Sequence, residues 1–252
     1  MVVDSHQTDR LRKRLLARVQ RRYATVTRPM EIGPLRFPFT RIADPDRVLD
    51  EVAEEADRRE RISGRRETDE QLHLPYWAEL WDSALGVAQF LVRNPPARCE
   101  AVLDLGCGMG LAGAVAAGLG AHVLLADLEP PALLFARLNS LPWRRRVRTR
   151  RLDWRTDALL TRFGLILGAD ILYERAQWEH LDHFWWRHLG QGGAVILGEP
   201  GRQTGDGFID WIRFRPWNLL RHEQHVPTRA QPVRLFVLSK QEGPPERAFL
   251  NC

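Results

Sequence analysis

Cysteine is scarce in this chain: Cys99, Cys107 and Cys252 are the three present in 252 residues. An odd number with no regular spacing gives neither a disulfide framework nor a zinc pattern. Long apolar runs are also lacking, and none approaches the roughly 20 residues that span a bilayer. The N-terminus alternates charge and leucine, with no apolar stretch of the kind a secretory signal needs. Internal repeats and low-complexity tracts are absent from the sequence. Lysine is almost missing, since nearly all the basic residues are arginine. A reduced, cytoplasmic protein that makes no membrane contact is the expectation.

The composition that is present is that of a globular protein, with 44% hydrophobic residues. The length suits one large α/β domain, or one domain with a terminal extension. The formal net charge of +5 is a modest positive balance. Such a balance fits either an arginine-rich solvated surface or an acidic partner. Residues 8–22 read as a basic amphipathic helix with Leu11, Leu15, Leu16 and Val19 on one face. Residues 30–42 alternate Leu35, Phe37 and Phe39 between prolines, which predicts a short strand or hairpin. Residues 46–62 read as a charged helix and 63–71 as a polar loop. Residues 1–70 are therefore expected to form an N-terminal extension, a candidate lid, before a main domain over 71–252.

From Leu74 onward, helices and strands alternate. An amphipathic helix is expected over 77–92, strands over 101–105, 122–126, 147–152, 164–168 and 194–198, and helices over 110–119, 131–139, 174–189 and 207–214. Two closing strands, 219–226 and 233–239, are separated by a short Pro-containing link. This order predicts a Rossmann-like α/β fold. Its sheet is mostly parallel and seven-stranded, with helices on both faces and an antiparallel hairpin at one edge.

The strongest motif runs from Val102 through Asp104, Gly106, Gly108 and Gly110 into a helix. Glycines at the strand end let the backbone turn sharply and let a ligand approach the main chain. Amides at the following helix start can face an anionic group. Asp127 ends the next strand, where an acid is placed to accept both hydroxyls of a ribose. The dinucleotide fingerprint would continue as Gly-x-Gly-x-x-Gly, but position 111 is Leu. Asp104 would also repel a pyrophosphate. Both features favour a zwitterionic cofactor over NAD.

This segment resembles the first motif of class I methyltransferases, in which the acid lies near the methionine amino group of S-adenosylmethionine. The likeness extends to Leu74-Pro75-Tyr76-Trp77-Ala78-Glu79-Leu80-Trp81, to Leu152-Asp153-Trp154, and to Gly168-Ala169-Asp170-Ile171-Leu172-Tyr173. Together these resemble the family of nicotinamide N-methyltransferase-like proteins and seven-strand protein lysine methyltransferases, which carry an Asp-x-x-Tyr motif. The resemblance implies that Trp81 lines the cofactor pocket and that Gly106 and Gly108 pack on the methionine part. It implies that Asp127 holds the ribose, Trp154 covers the adenine, Asp153 lies near the adenine amino group, and Ala169 lends backbone.

Asp170 and Tyr173, at the carboxyl end of a central strand, are the expected catalytic pair on the acceptor side. A carboxylate can orient an ammonium, and an aromatic face can steady a cation. The other reading has Asp170 capping a helix and Tyr173 packed on the core. Glu199, after the fifth strand of the sheet, is either an acceptor-binding charge or a loop acid. Tyr76 and Glu79 are further candidates. His180, His183 and His188 lack acidic or thiol ligands beside them, so no metal site is expected.

Four functions fit these residues. A protein lysine methyltransferase stands first and a small-molecule N-methyltransferase second. A nucleic-acid methyltransferase is third, because Ala169-Asp170-Ile171-Leu172 is not the Asn-Pro-Pro-Tyr type of motif that receives a flipped base. Asn94-Pro95-Pro96 lies on the wrong turn for that role. A non-catalytic cofactor-binding module is the fourth.

Overall fold

The computed structural model describes residues 5–63 and 74–241. The expected boundary between 70 and 71, most of the expected loop 63–71 and Cys252 lie outside the described residues. The chain opens with helix α1 (Ser5–Gln20), a hairpin of β1 (Thr25–Ile32) and β2 (Leu35–Ile42), and helix α2 (Pro45–Ser63). Gly33 and Pro34 form the hairpin turn, with Gly33 at a φ of 55° that suits a residue without Cβ. Next come α3 (Asp82–Arg93), β3 (Ala101–Leu105), α4 (Leu111–Gly118), β4 (His122–Asp127), α5 (Pro130–Asn139) and β5 (Val147–Arg151). The chain finishes with β6 (Phe163–Ala169), α6 (Trp178–His188), β7 (Leu189–Glu199), α7 (Gln203–Ile212), β8 (Trp217–Gln224) and β9 (Val233–Lys240).

Strands β3 to β9 form one sheet in the order β5-β4-β3-β6-β7-β9-β8. The first five of these run parallel, and β9 is antiparallel to both β7 and β8. Period-two alternation makes the sheet a divider between two apolar layers. Val102, Leu165, Leu167 and Leu235 pack with α3, α4 and α5. Leu103, Ile166, Val195 and Phe236 pack with α6 and α7. This is the Rossmann-like, mostly parallel seven-stranded arrangement that the alternation implies. Chain order reverses between β3 and β6, so the sheet has its switch point there, where open α/β sheets bind ligands.

Several boundaries differ from expectation; α7, for example, begins at Gln203 and β8 at Trp217, each ahead of the expected 207 and 219. The helix expected over 77–92 splits into a 3-10 turn, Tyr76–Ala78, and α3 beginning at Asp82. Trp81 between them is extended, with a ψ of 141°, and its indole N–H donates to the Tyr76 carbonyl at 2.8 Å. That bond draws the ring back over the turn and keeps Trp81 out of the helix. The helix expected over 174–189 likewise begins with a 3-10 turn, Arg175–Gln177. Strand β7 begins five residues before the expected position 194, because Leu189 pairs with Phe163 across an irregular register.

The N-terminal elements share the main core. Leu15, Val19, Ile32, Phe37 and Phe39 are buried in the layer that holds α3 to α5. Asn139, at the end of α5, ties the hairpin down. Its Oδ1 accepts the Thr40 N–H at 2.7 Å, and its Nδ2 donates to the carbonyls of Thr40 and Met109 at 3.0 and 2.9 Å.

Candidate functional site

A cleft of about 440 Å³ opens at the carboxyl ends of β3, β4, β5 and β6. Small-molecule sites span roughly 300–1,000 Å³. Its floor is the turn after β3, where Gly106, Gly108 and Gly110 all have positive φ (65°, 51° and 80°). A Cβ on Gly106 would stand 2.8 Å from Ile171 Cγ2, and one on Gly110 would stand 2.8 Å from Ala136 Cβ. Bulk there would also collide with packed neighbours.

Asp127 lies in this cleft, largely buried, at the end of β4. Its Oδ2 accepts the Gly108 N–H at 2.8 Å and its Oδ1 accepts the Glu129 N–H at 2.9 Å. Each carboxylate oxygen keeps a second lone pair for a further donor such as a hydroxyl. Burial raises the Asp127 carboxyl to about 6, against the pull of those two amides. Glu129 lines the same cleft, an acid that strand-end reasoning missed because it stands one step into the helix approach.

Trp81, Asp153, Trp154 and Ala169 line the cleft as well. The Trp154 indole donates to Gln177 Oε1 at 3.1 Å, which fixes the ring plane. No pattern in the sequence marks Gln177. Asp153 is held by Arg155, which keeps its carboxyl below the usual range.

Asp104 stands apart from these residues. It is buried on the β3 face that meets α4, and its Oδ2 accepts the Gly113 N–H at 2.8 Å. It is not among the residues that line the cleft. The reason is alternation: Val102 and Asp104 share the face turned toward α4, away from the strand end. Gly110 precedes α4 and has no side chain to cap it. Asp104 therefore supplies the acceptor that a Ser or Asp cap would normally provide. Burial lifts its carboxyl to about 7.

Just beyond the carboxyl end of β6, Asp170 adopts a φ of 59°, a left-handed conformation unusual outside glycine. Its Oδ1 and Oδ2 are gripped by the Arg202 guanidinium, and Oδ2 also accepts Ser83 Oγ–H at 3.3 Å. Burial raises its carboxyl while Arg202 holds it down. The Arg202 guanidinium lies 5.3 Å from the Trp81 ring centre. Asp170 caps no helix here; the 3-10 turn ahead of α6 starts from Glu174.

Tyr173 lines the cleft and meets Tyr76 edge to face, with ring centres 5.4 Å apart. Burial, with neighbouring acids, pushes its phenol up to about 12. Glu79 also lines the cleft, and its carboxyl is raised by partial burial and by Asp46, Asp82 and Asp170. Glu199 turns inward instead: it accepts the N–H groups of Gly201 and Arg202 and the Arg234 Nε–H. It holds the Arg202 loop and does not face the cleft.

His180 is at the cleft wall, whereas His188 is buried, with Nε2 accepting the Leu159 N–H at 2.9 Å and Nδ1 donating to the Phe184 carbonyl. No group of three potential metal ligands occurs among the described residues.

The electron transfer flavoprotein beta subunit lysine methyltransferase of Xenopus laevis is 36% identical over 159 residues, 60% of this chain and 58% of that protein. Protein N-lysine methyltransferase METTL21A of Danio rerio is 37% identical over 129 residues, 48% of this chain and 58% of that protein. The chain thus spans little more than half the length of these relatives. A ribosomal protein L11 methylase from Lactobacillus delbrueckii subsp. bulgaricus shares the fold, with a TM-score of 0.54 at 18% identity over 65% of this chain and 81% of that one. The family model described as lysine methyltransferase matches residues 69–208, more than half of the 252, and the chain belongs to that family.

Proposed function

We propose that the protein is an S-adenosylmethionine-dependent methyltransferase that acts on a lysine amine of a protein. The observation that carries this reading is the cleft itself. It joins a glycine turn, a strand-end acid and Trp154 at one end to Tyr76, Glu79, Asp170 and Tyr173 at the other. The first set fits a ribose and a flat base: Asp127 has free lone pairs, and Trp154 is fixed in plane for stacking. The turn, where side chains would clash, fits the methionine part. When bound, the cofactor supplies a methyl group activated by its sulfonium.

The protein's task at the other end is to align the amine, strip water from it and accept its proton. Tyr76 and Tyr173 present two aromatic faces to a cation. The phenol of Tyr173 is pushed up to about 12 and stays protonated at neutral pH, so its ring face meets the amine and its oxygen does not serve as base. Asp170 is already paired with Arg202, so it braces the loop that carries Tyr173. Glu79 is an exposed carboxylate at this end and takes the role of proton acceptor. We place the protein in the cytoplasm, on the free thiols of Cys99 and Cys107. No helix among the described residues is long and apolar enough to cross a membrane.

Transfer of labelled methyl from S-adenosylmethionine in a lysate tests this reading, with protein, RNA and small-molecule fractions counted separately. Counts should enter protein, appear as methyl-lysine after hydrolysis, and vanish with Asp127→Ala. Label in RNA or small molecules alone would redirect the acceptor. Undetectable cofactor binding by calorimetry would remove the whole reading.

A further inference from the structure

The arginines left aside by the cleft are not spread evenly. Residues 5–22 carry seven basic side chains and one acid, and residues 144–151 carry six arginines and no acid. Each segment alone exceeds or matches the net charge of the whole chain, +5. The fold brings the two segments together. Helix α1 packs on α5 and on the 3-10 turn 141–143 that leads into the second segment. Gln7 on α1 accepts from Arg144 Nη2 at 2.6 Å. Arg10 and Arg14 follow Gln7 at spacings of three and four, on the same flank of the helix. Strand β5 is the free edge of the sheet, paired with β4 alone. Val147 is buried on the α5 side, so Arg148 and Arg150 project to the opposite face. The basic band therefore starts on α1, crosses the turn at Arg145 and wraps round the sheet edge.

Arg10, Arg14, Arg145, Arg148 and Arg150 are exposed and make no ion pair among the described residues. Arginines on an edge strand also guard it against pairing. That task takes charge of either sign and is local to β5, so it leaves α1 unexplained. We propose that this band is a docking surface for the phosphate backbone of a structured nucleic acid, separate from the methyl-transfer cleft. Three observations choose this occupant. Protein interfaces need apolar or aromatic anchors, and none of the exposed large hydrophobic side chains lies on α1 or β5. An anionic membrane would need the apolar stripe of α1, but Leu15 and Val19 are buried against the core. Trp143, the aromatic ring of the connecting turn, packs on Phe37 and offers no platform for an unpaired base. Backbone phosphates in a duplex remain, and arginine forks fit them. The surface reads charge and spacing and no base sequence.

Fluorescence anisotropy of the full chain with a labelled 20-base-pair RNA hairpin, without cofactor, tests this. A matched DNA duplex, a poly-glutamate peptide and vesicles containing phosphatidylserine form the other arms. Binding should weaken steeply with salt, with a slope of log K on log salt of about −4. The paired change Arg10→Glu with Arg14→Glu should weaken binding at least tenfold and flatten the slope by about 2. Arg148→Glu with Arg150→Glu should do the same. Arg213→Glu with Arg221→Glu, outside the band, makes an equal change in net charge and should leave binding nearly unchanged. Glutamine at the same positions serves if a reversed charge impairs folding. RNA and DNA binding alike supports a phosphate surface, and RNA alone narrows it to A-form geometry. Equal response to all three pairs would overturn the proposal, as would stronger binding to poly-glutamate or vesicles, or no binding at 100 mM salt. None of these readouts depends on methyl transfer, so a failed acceptor assignment leaves this test intact.

Discussion

Asp104 and Asp127 stand a few residues apart in space yet do different work. Both carboxyls are raised by burial, to about 7 and about 6. A carboxyl that is harder to ionise in the folded chain than in the unfolded one favours folding most when both are protonated. Its contribution is lost as pH rises from the unfolded value toward the folded one. Relative to Asp104→Asn, the wild type should therefore lose stability between about pH 4 and 7 and stay level above that; denaturant melts at each pH measure it. Asp104→Ala should cost about 1–3 kcal/mol, because it leaves the Gly113 amide without an acceptor. Asp127 should show itself in binding instead. S-adenosylmethionine affinity is expected to fall as pH drops below about 6, where Asp127 gains its proton. Calorimetry on Asp127→Asn should find a weaker affinity with that pH dependence gone. Removal of the Trp154 ring by Trp154→Ala should weaken the cofactor tenfold to a hundredfold, in line with about 1–3 kcal/mol for one stacked base. On the proposed reading, in which the Tyr173 ring presents its face to the amine, Tyr173→Phe should keep most of the kcat that Tyr173→Ala loses.

Elements were legible in the sequence where one physical signal dominated. Strand β3 appears at its expected bounds because an apolar run ends on glycine turns. The helix start at Asp82 was not legible, because the apolar spacing of Trp77 and Trp81 imitates a helix face. What decides it is the bond from the Trp81 indole to the Tyr76 carbonyl, a tertiary detail with no sequence period. Asp104 was assigned to the cofactor from motif likeness, whereas strand alternation turns it toward α4. Arg202 and Ser83, which grip Asp170, come from elements far away in sequence, and only the fold brings them together. Glu199 illustrates the same limit, since its partner Arg234 lies on β9. The hairpin's anchorage was equally hidden. Asn139→Ala should lower the melting temperature clearly, by about 3 kcal/mol of stability, because it strands buried groups of Thr40 and Met109 together. Asn139→Asp should fall short of rescue, since a carboxylate cannot donate to the two carbonyls.

At the scale of the molecule, one sheet separates two apolar layers, and the cleft sits where chain order reverses. The N-terminal elements belong to one of those layers, through Ile32, Phe37 and Phe39. Deletion of residues 1–43 should therefore give an insoluble or unfolded product and not a lidless enzyme; solubility and circular dichroism report the outcome. Strand β5 carries the last arginine of the basic band, Arg150, to within two residues of Leu152 in the cleft wall. The Asn139 side chain also joins two regions that no sequence window contains. It holds the Thr40 backbone with one hand and the Met109 carbonyl of the glycine turn with the other. Thr40 and Asn139 are 99 positions apart. Amide hydrogen exchange at Thr40 should consequently slow when S-adenosylmethionine is added, although that amide never meets the cofactor. A quiet hairpin amide would then serve as a clock for how often the distant glycine turn opens.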